Sequence, residues 1–194
     1  MPKIVDHQKF KEELLLKCFE LFTSRGYDTV TMREIANSLD VSTGLLYHYF
    51  PDKQTMLQNM FEVIAIREID QLTQVAYQTD DVMERVDIFF NYFKERETFY
   101  KGILLLLLDF SKHCTSEENI SFMKNYAGIM AERIGEGVGT TDRHFGFLVL
   151  SFLVGLFYLR LIVPHTIDLN ALTDIARQMF NLAGGQALLL KFAN

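Results

Sequence analysis

Apolar positions recur every three to four residues along nearly the whole chain, the period of helices with one buried face. Phe10, Leu14, Cys18 and Leu21 begin the pattern, and Leu15, Phe19 and Phe22 widen it. Arg25-Gly26 ends this first helix, since Gly26 suits the left-handed position after a helix. Thr31-x-x-Glu34 is a capping box, so a second helix starts there, turns Ile35, Ala36 and Leu39 inward and breaks at Asp40. Ser42 caps a third helix that runs only to about Tyr49. Pro51 fits the first turn of a fourth, with Asp52 near its positive end, and this helix extends to about Tyr77.

Further helices follow. Asp81-x-x-Glu84 starts a fifth, and the apolar run from Ile103 to Leu108 belongs to a sixth. Thr115-x-x-Glu118 caps a seventh, which runs to roughly Gly135, and "GEGVGTTD" reads as a loop. An eighth begins near Asp142 and ends before Pro164, and a ninth begins near Asp168 and fades around Gly184-Gly185. No period-two strand pattern and no internal repeat interrupts this series, so the expectation is an all-α fold of about nine helices.

The second and third helices carry the most specific geometry. Ala36 is a small residue where two helices must cross closely, and Asp40 stands where the turn requires positive φ, a region Asp tolerates better than most residues. Val41 and Leu46 plug the space between the helices. Ala36, Asp40 and Leu46 therefore fall at the offsets of a helix-turn-helix. The third helix is short and polar on its outward side, where it offers Ser42, Thr43, Gly44, Tyr47 and His48. Gly44 costs about 1 kcal/mol of helix propensity but lets another surface approach the backbone. Tyr47 and His48 can donate to phosphates, Lys53 adds a cation, and Tyr49 and Phe50 should pack inward.

Over the same residues, "LFTSRGYDTVTMREIANSLDVSTGLLYHYFPDKQTML" resembles the DNA-binding domain of TetR-family transcriptional regulators. The likeness rests on Leu21, Phe22, Gly26, Thr31, Ile35, Ala36, Val41, Ser42, Gly44, Leu46, Tyr47, Tyr49, Phe50, Lys53 and Leu57. Asp40 replaces the family's usual Gly, and Tyr49 its usual His, with His48 just before it. The resemblance implies an all-helical homodimer, a repressor that an effector releases from its operator. Its domains would be a helix-turn-helix head over 1–50 and a ligand-binding and dimerisation domain over 51–194, joined by the fourth helix. It places Thr31 and Met32 near the DNA backbone and Thr43 and Leu45 toward bases. Tyr47, His48 and Lys53 would face phosphate. Arg33 would reach a base edge, guanine by the fit of its guanidinium, or a phosphate. Arg33 could instead pair with an acid on its own helix.

Composition adjusts this picture in a few places. The 194 residues carry a net charge of −6, and the first 55 hold 7 Lys and Arg against 8 Asp and Glu, so no basic footprint announces nucleic acid. Cys18 and Cys114 match no metal spacing, and the five histidines show no ligating or catalytic pattern. No enzyme, cofactor or metal is therefore expected. The first residues lack a signal-peptide core, and the uncharged run Phe145–Leu159 is too short for a membrane span, so the expectation is a cytoplasmic protein.

Two further sets complete the reading. Phe147, Leu150, Ser151, Val154, Gly155, Tyr158 and Leu161 form one stripe, and Ile175, Met179, Leu182 and Gln186 form another. Such helices suit a homodimeric four-helix bundle, or a fully buried central helix in a monomer. Phe89, Phe93, Phe99, Tyr100, Phe110, Phe122 and Tyr126 are either core or the lining of an apolar effector pocket, with Arg67, Asp109 and His113 as candidate polar anchors. The expected partners are thus an operator duplex, a small hydrophobic or aromatic effector and a second copy of the chain. A helical sensor or adaptor that never binds DNA is the alternative.

Overall fold

The computed structural model describes residues 6–76, 78–79, 81–112, 115–138, 141–164 and 166–182. Over these residues the protein is all-α. Its helices are α1 His7–Arg25, α2 Met32–Ser38, α3 Thr43–Tyr49, α4 Lys53–Ala76, α5 Val82–Glu95, α6 Glu97–Lys112, α7 Glu117–Val138, α8 Arg143–Ile162 and α9 Leu169–Leu182.

Capping chemistry sets most of the boundaries. Asp6 caps α1, accepting from the Gln8 and Lys9 N–H groups. Asp52, not Pro51, begins α4: its Oδ1 accepts from Thr55 N at 2.6 Å, which leaves Pro51 outside the helix. Asp81 caps α5 as expected, but the Glu84 carboxylate turns to the Thr79 hydroxyl instead of closing a capping box. Ser116 takes the cap of α7, accepting from Asn119 N at 3.2 Å, so Thr115 lies one residue too early. That helix also runs to Val138, through the glycines expected to form a loop.

The chain divides into two compact units whose boundaries fall within α4, α6 and α7. One unit comprises Met1–Ile66 and Leu105–Phe122, the other Arg67–Leu104 and Met123–Asn194. In the first, Leu15, Phe22, Ile35, Leu46, Phe50, Met56, Leu57 and Phe61 are fully buried, joined by Leu106 and Phe110. A buried amide cluster supports it: Asn119 Oδ1 accepts from Gln54 at 2.7 Å and from Gln58 at 3.2 Å. Cys18 lies buried 3.6 Å from the Met56 sulfur, and burial pushes its thiol up to about 12. An unreactive structural thiol is what such a site makes.

The second unit packs Leu72, Phe89, Phe93, Leu104, Ile134, Leu153 and Phe157 into one core. Gly146 brings α8 against α7 so closely that a Cβ there would lie 1.9 Å from the Ala131 carbonyl oxygen. Lys94 and Arg177 tie α5 to α9 through Asn170 and Asp87. By length and composition α8 could cross a membrane, yet one face of it belongs to this core and the other is exposed.

Candidate nucleic-acid interface and effector cluster

The turn between α2 and α3 has the geometry that its residues require. Ala36 and Leu46 are fully buried, and Val41 N donates to Ala36 O at 3.0 Å across the turn. Asp40 has φ of 55°, the one positive value at a non-glycine among the described residues. Ser42 accepts from Leu45 N at 3.1 Å to start α3. Thr31 and Glu34 close the expected capping box, and Arg25 reaches Glu34 at 3.1 Å. The Thr31 amide and hydroxyl, followed by Arg25, hold the Glu34 carboxyl below its ordinary range.

On the outward side of this motif, Thr31, Arg33, Ser42, Gly44, Leu45, Tyr47 and His48 are exposed, while Met32 and Thr43 are half-buried. Tyr47 is 49% exposed. A Cβ on Gly44 would meet nothing within 4 Å, so the fold itself does not demand glycine there. The acid nearest in sequence, Glu34, is occupied by Thr31 and Arg25, and Arg33 makes no side-chain hydrogen bond or ion pair among the described residues.

Lys53 stands differently from expectation, whereas Tyr49 packs inward as expected. Lys53 directs its ammonium inward, donating to Tyr27 O at 2.7 Å and Val30 O at 2.9 Å and lying over the Tyr27 ring. Burial lowers its pKa, and two of its three donors hold the connection between α1 and α2. Its visible service is to the fold. Tyr49 is half-buried, packs on Phe10 and shares a 2.7 Å hydrogen bond with His7 Nδ1. His48 is exposed and meets Tyr49 edge-on at 5.3 Å, with no side-chain hydrogen bond among the described residues.

The aromatic set divides. Phe89, Phe93 and Tyr100 pack together with Phe157, with Tyr100 stacked on Phe157 at 5.4 Å. Phe110 packs instead on Phe61 and Phe122 in the first unit. Tyr126 is buried in the second unit, and burial raises its phenol. Of the candidate anchors, Arg67 is exposed, Asp109 pairs with Lys112 at 2.5 Å, and His113 lies outside the described residues, as does Cys114.

A different acid occupies the aromatic cluster. Glu68 has 7% of its side chain exposed and accepts from Arg96 Nη2 at 2.7 Å, Tyr100 OH at 2.9 Å and Tyr92 OH at 3.0 Å. Burial, and then the adjacent carboxylate, raise both phenols, which therefore remain protonated donors. The signal was in the sequence: Glu68 continues the apolar stripe of Leu57, Phe61, Ile64 and Leu72, and a charge in a buried stripe needs a partner.

The exposed face of α8 is apolar but is phased differently from the predicted stripe. Leu148 is 65% exposed, and Phe152, Val154, Tyr158, Leu159 and Ile162 follow it, with Phe147 at the margin. Ser151 is exposed and Gly155 half-buried on the same side. Leu150 packs instead against its own core, and Leu161 is half-buried. Ile175 of α9 is 50% exposed, the side chains of Met179 and Leu182 are outside the description, and Gln186 lies beyond the described residues.

Comparison with known proteins agrees with the local geometry. Residues 11–60 match the family described as bacterial regulatory proteins, tetR family. The HTH-type transcriptional regulator HbdR of Aromatoleum sp. (strain CIB) is 39% identical over 56 residues, 29% of this chain and 24% of that protein. The chain thus spans about a quarter of that relative's length. Over the whole fold, a transcriptional regulator from Saccharomonospora viridis in complex with choline matches with a TM-score of 0.67 at 14% identity, covering 90% of this chain and 97% of that one. FadR of Bacillus subtilis in complex with stearoyl-CoA matches at 0.61 and 16% identity, covering 86% and 95%. Residues 11–60 thus carry the domain described for the tetR family of bacterial regulatory proteins.

Proposed function

We propose that this chain is a cytoplasmic, dimeric, ligand-responsive DNA-binding regulator, acting as a repressor on a pseudo-palindromic operator. The carrying observation is Gly44: it sits exposed on the outward side of α3, a glycine that no internal packing demands, beside the half-exposed Tyr47. A helix gives up about 1 kcal/mol of propensity at such a position, and close approach of a duplex offsets that cost. Arg33 supplies the guanine contact, and Tyr47 and His48 the phosphate contacts. The exposed apolar face of α8, continued by Ile175, supports pairing of two copies, which places two recognition helices on successive major grooves about 34–36 Å apart.

An effector acts on such a protein only by binding the DNA-free state better, and the operator must then weaken effector binding reciprocally. Relatives of the same fold hold choline and stearoyl-CoA, which supports a small-molecule site in this chain as well. The low positive charge of the head, lowered further by the inward turn of Lys53, favours instead a helical sensor without DNA. A gel shift on the duplex upstream of the protein's own gene decides between them. Binding in dilute buffer that weakens as salt rises supports the regulator, and no binding at any salt sinks it.

A further inference from the structure

The sequence of α3, Thr43–Tyr49, reads TGLLYHY and holds no Arg, Lys, Asn, Gln, Asp or Glu. Those are the side chains that read base edges through two-pronged or charged hydrogen bonds. Gly44, Leu45, Tyr47 and His48 are the exposed residues of this helix, and Leu46 is its buried one. Leu45 is a large apolar side chain left 36% exposed. Its backbone is fixed on both sides: Leu45 N donates to Ser42 Oγ at 3.1 Å, and the next residue, Leu46, is fully buried. The residue before it is Gly44, where even a Cβ would meet nothing within 4 Å. An outside surface can therefore come close to the α3 backbone beside Leu45.

We propose that Leu45 is the specificity-determining residue of α3 and that it reads the 5-methyl group of thymine in the major groove. The inference rests on the DNA-binding reading above and names the base feature that this helix recognises. Of the four bases only thymine presents an apolar group in the major groove, and the others present donors and acceptors alone. A leucine pressed against donors and acceptors strips them of water and returns no hydrogen bond. Pressed against a methyl, it removes apolar surface from water on both sides. The bare backbone at Gly44 supplies the close approach that a side chain as short as leucine needs to reach a base edge. The guanine contact proposed for Arg33 sits on α2, so the two helices read different chemistry.

The test uses the full chain and the duplex it enriches from a random-sequence pool in dilute buffer. Each thymine of that duplex is replaced in turn by deoxyuridine, which removes the 5-methyl and keeps the base pair. At one or more thymines of each half-site the exchange is expected to weaken binding about fourfold, the gain from burying one such group. Leu45→Ala should bind the unmodified duplex more weakly and respond equally to thymine and deoxyuridine there. The deoxyuridine scan of the unmodified chain decides the matter even if the variant does not fold. No effect of deoxyuridine at any position overturns the proposal. So does an effect of the same size in Leu45→Ala, which would trace the loss to duplex shape or to another side chain. Enrichment of a duplex without any deoxyuridine effect sinks this inference alone, and enrichment of no duplex sinks the DNA-binding reading with it.

Discussion

Arg160 and Glu97 form a two-pronged pair, Nε to Oε1 at 2.8 Å and Nη2 to Oε2 at 2.7 Å, with Lys101 a further 2.5 Å from the same carboxylate. Arg160 also donates to the Ile167 carbonyl, so one guanidinium binds α6 and the connection into α9. Residues 96 and 97 thus have opposite charges and opposite errands, Arg96 to Glu68 on α4 and Glu97 to Arg160 on α8.

This pair makes stability depend on pH. The Arg160 hydrogen bonds outweigh burial and hold Glu97 down at about 2. Because the folded value lies below the unfolded one, the stabilisation is fully present above about pH 5 and is lost as pH falls toward 2. Allowing for solvent screening, it should amount to on the order of 1–2 kcal/mol. Urea unfolding of the wild type and Glu97→Gln should differ by that amount near neutrality and converge in acid. A gap that persists near pH 2 would refute this assignment.

Gly146 should tolerate no side chain. A Cβ there would meet the Ala131 carbonyl oxygen at 1.9 Å and Ala131 Cα at 3.2 Å, backbone that cannot step aside. Gly146→Ala should cost about 2 kcal/mol or more by forcing α7 and α8 apart. Gly137→Ala, where nothing lies within 4 Å, should be neutral or stabilising by up to about 1 kcal/mol. Paired denaturant curves check both.

At the turn, Asp40 holds φ of 55°. Asp40→Gly should therefore be more stable than Asp40→Ala by about 1–2 kcal/mol, since alanine gains nothing from the left-handed region and pays its steric cost. Thermal melts of the two variants give the comparison directly, and equal stability would show that the turn relaxes.

Lys53 and Tyr47 should separate stability from DNA affinity. Lys53→Met removes two hydrogen bonds to Tyr27 O and Val30 O, so it should destabilise by about 1–2 kcal/mol. Tyr47→Phe should leave stability within about 0.5 kcal/mol, weaken operator binding by about 1 kcal/mol and leave the salt dependence unchanged, because no charge is removed. A melt and a salt series of binding isotherms on each variant test both.

Assembly should depend on the outward face of α8. Leu148→Glu or Phe152→Glu places a charge on exposed apolar surface, harmless to a lone subunit but costly in a pair. Sedimentation velocity should show dimers for the wild type and monomers for both variants. Unchanged sedimentation would move the interface elsewhere.

What the sequence by itself determined were the local devices. Helix count, the capping box at Thr31 and Glu34, the turn at Asp40 and the inward Ala36 and Leu46 all follow from groups within a few residues of one another. Caps shifted by one residue where two candidates stood side by side, as with Thr115 and Ser116, because neither spacing nor propensity separates them. Only the tertiary structure decided which charges are occupied. Lys53 reads as a free cation until the carbonyls of Tyr27 and Val30 claim it. The phase of the α8 stripe was likewise settled by Gly146 seating on Ala131, since a helix apolar on all sides carries no period to show which face is inward. The junction of Glu68, Arg96, Glu97 and Arg160 joins residues 28 and 63 positions apart, and a pairing over such distances is written in the packing of helices, not in the order of residues.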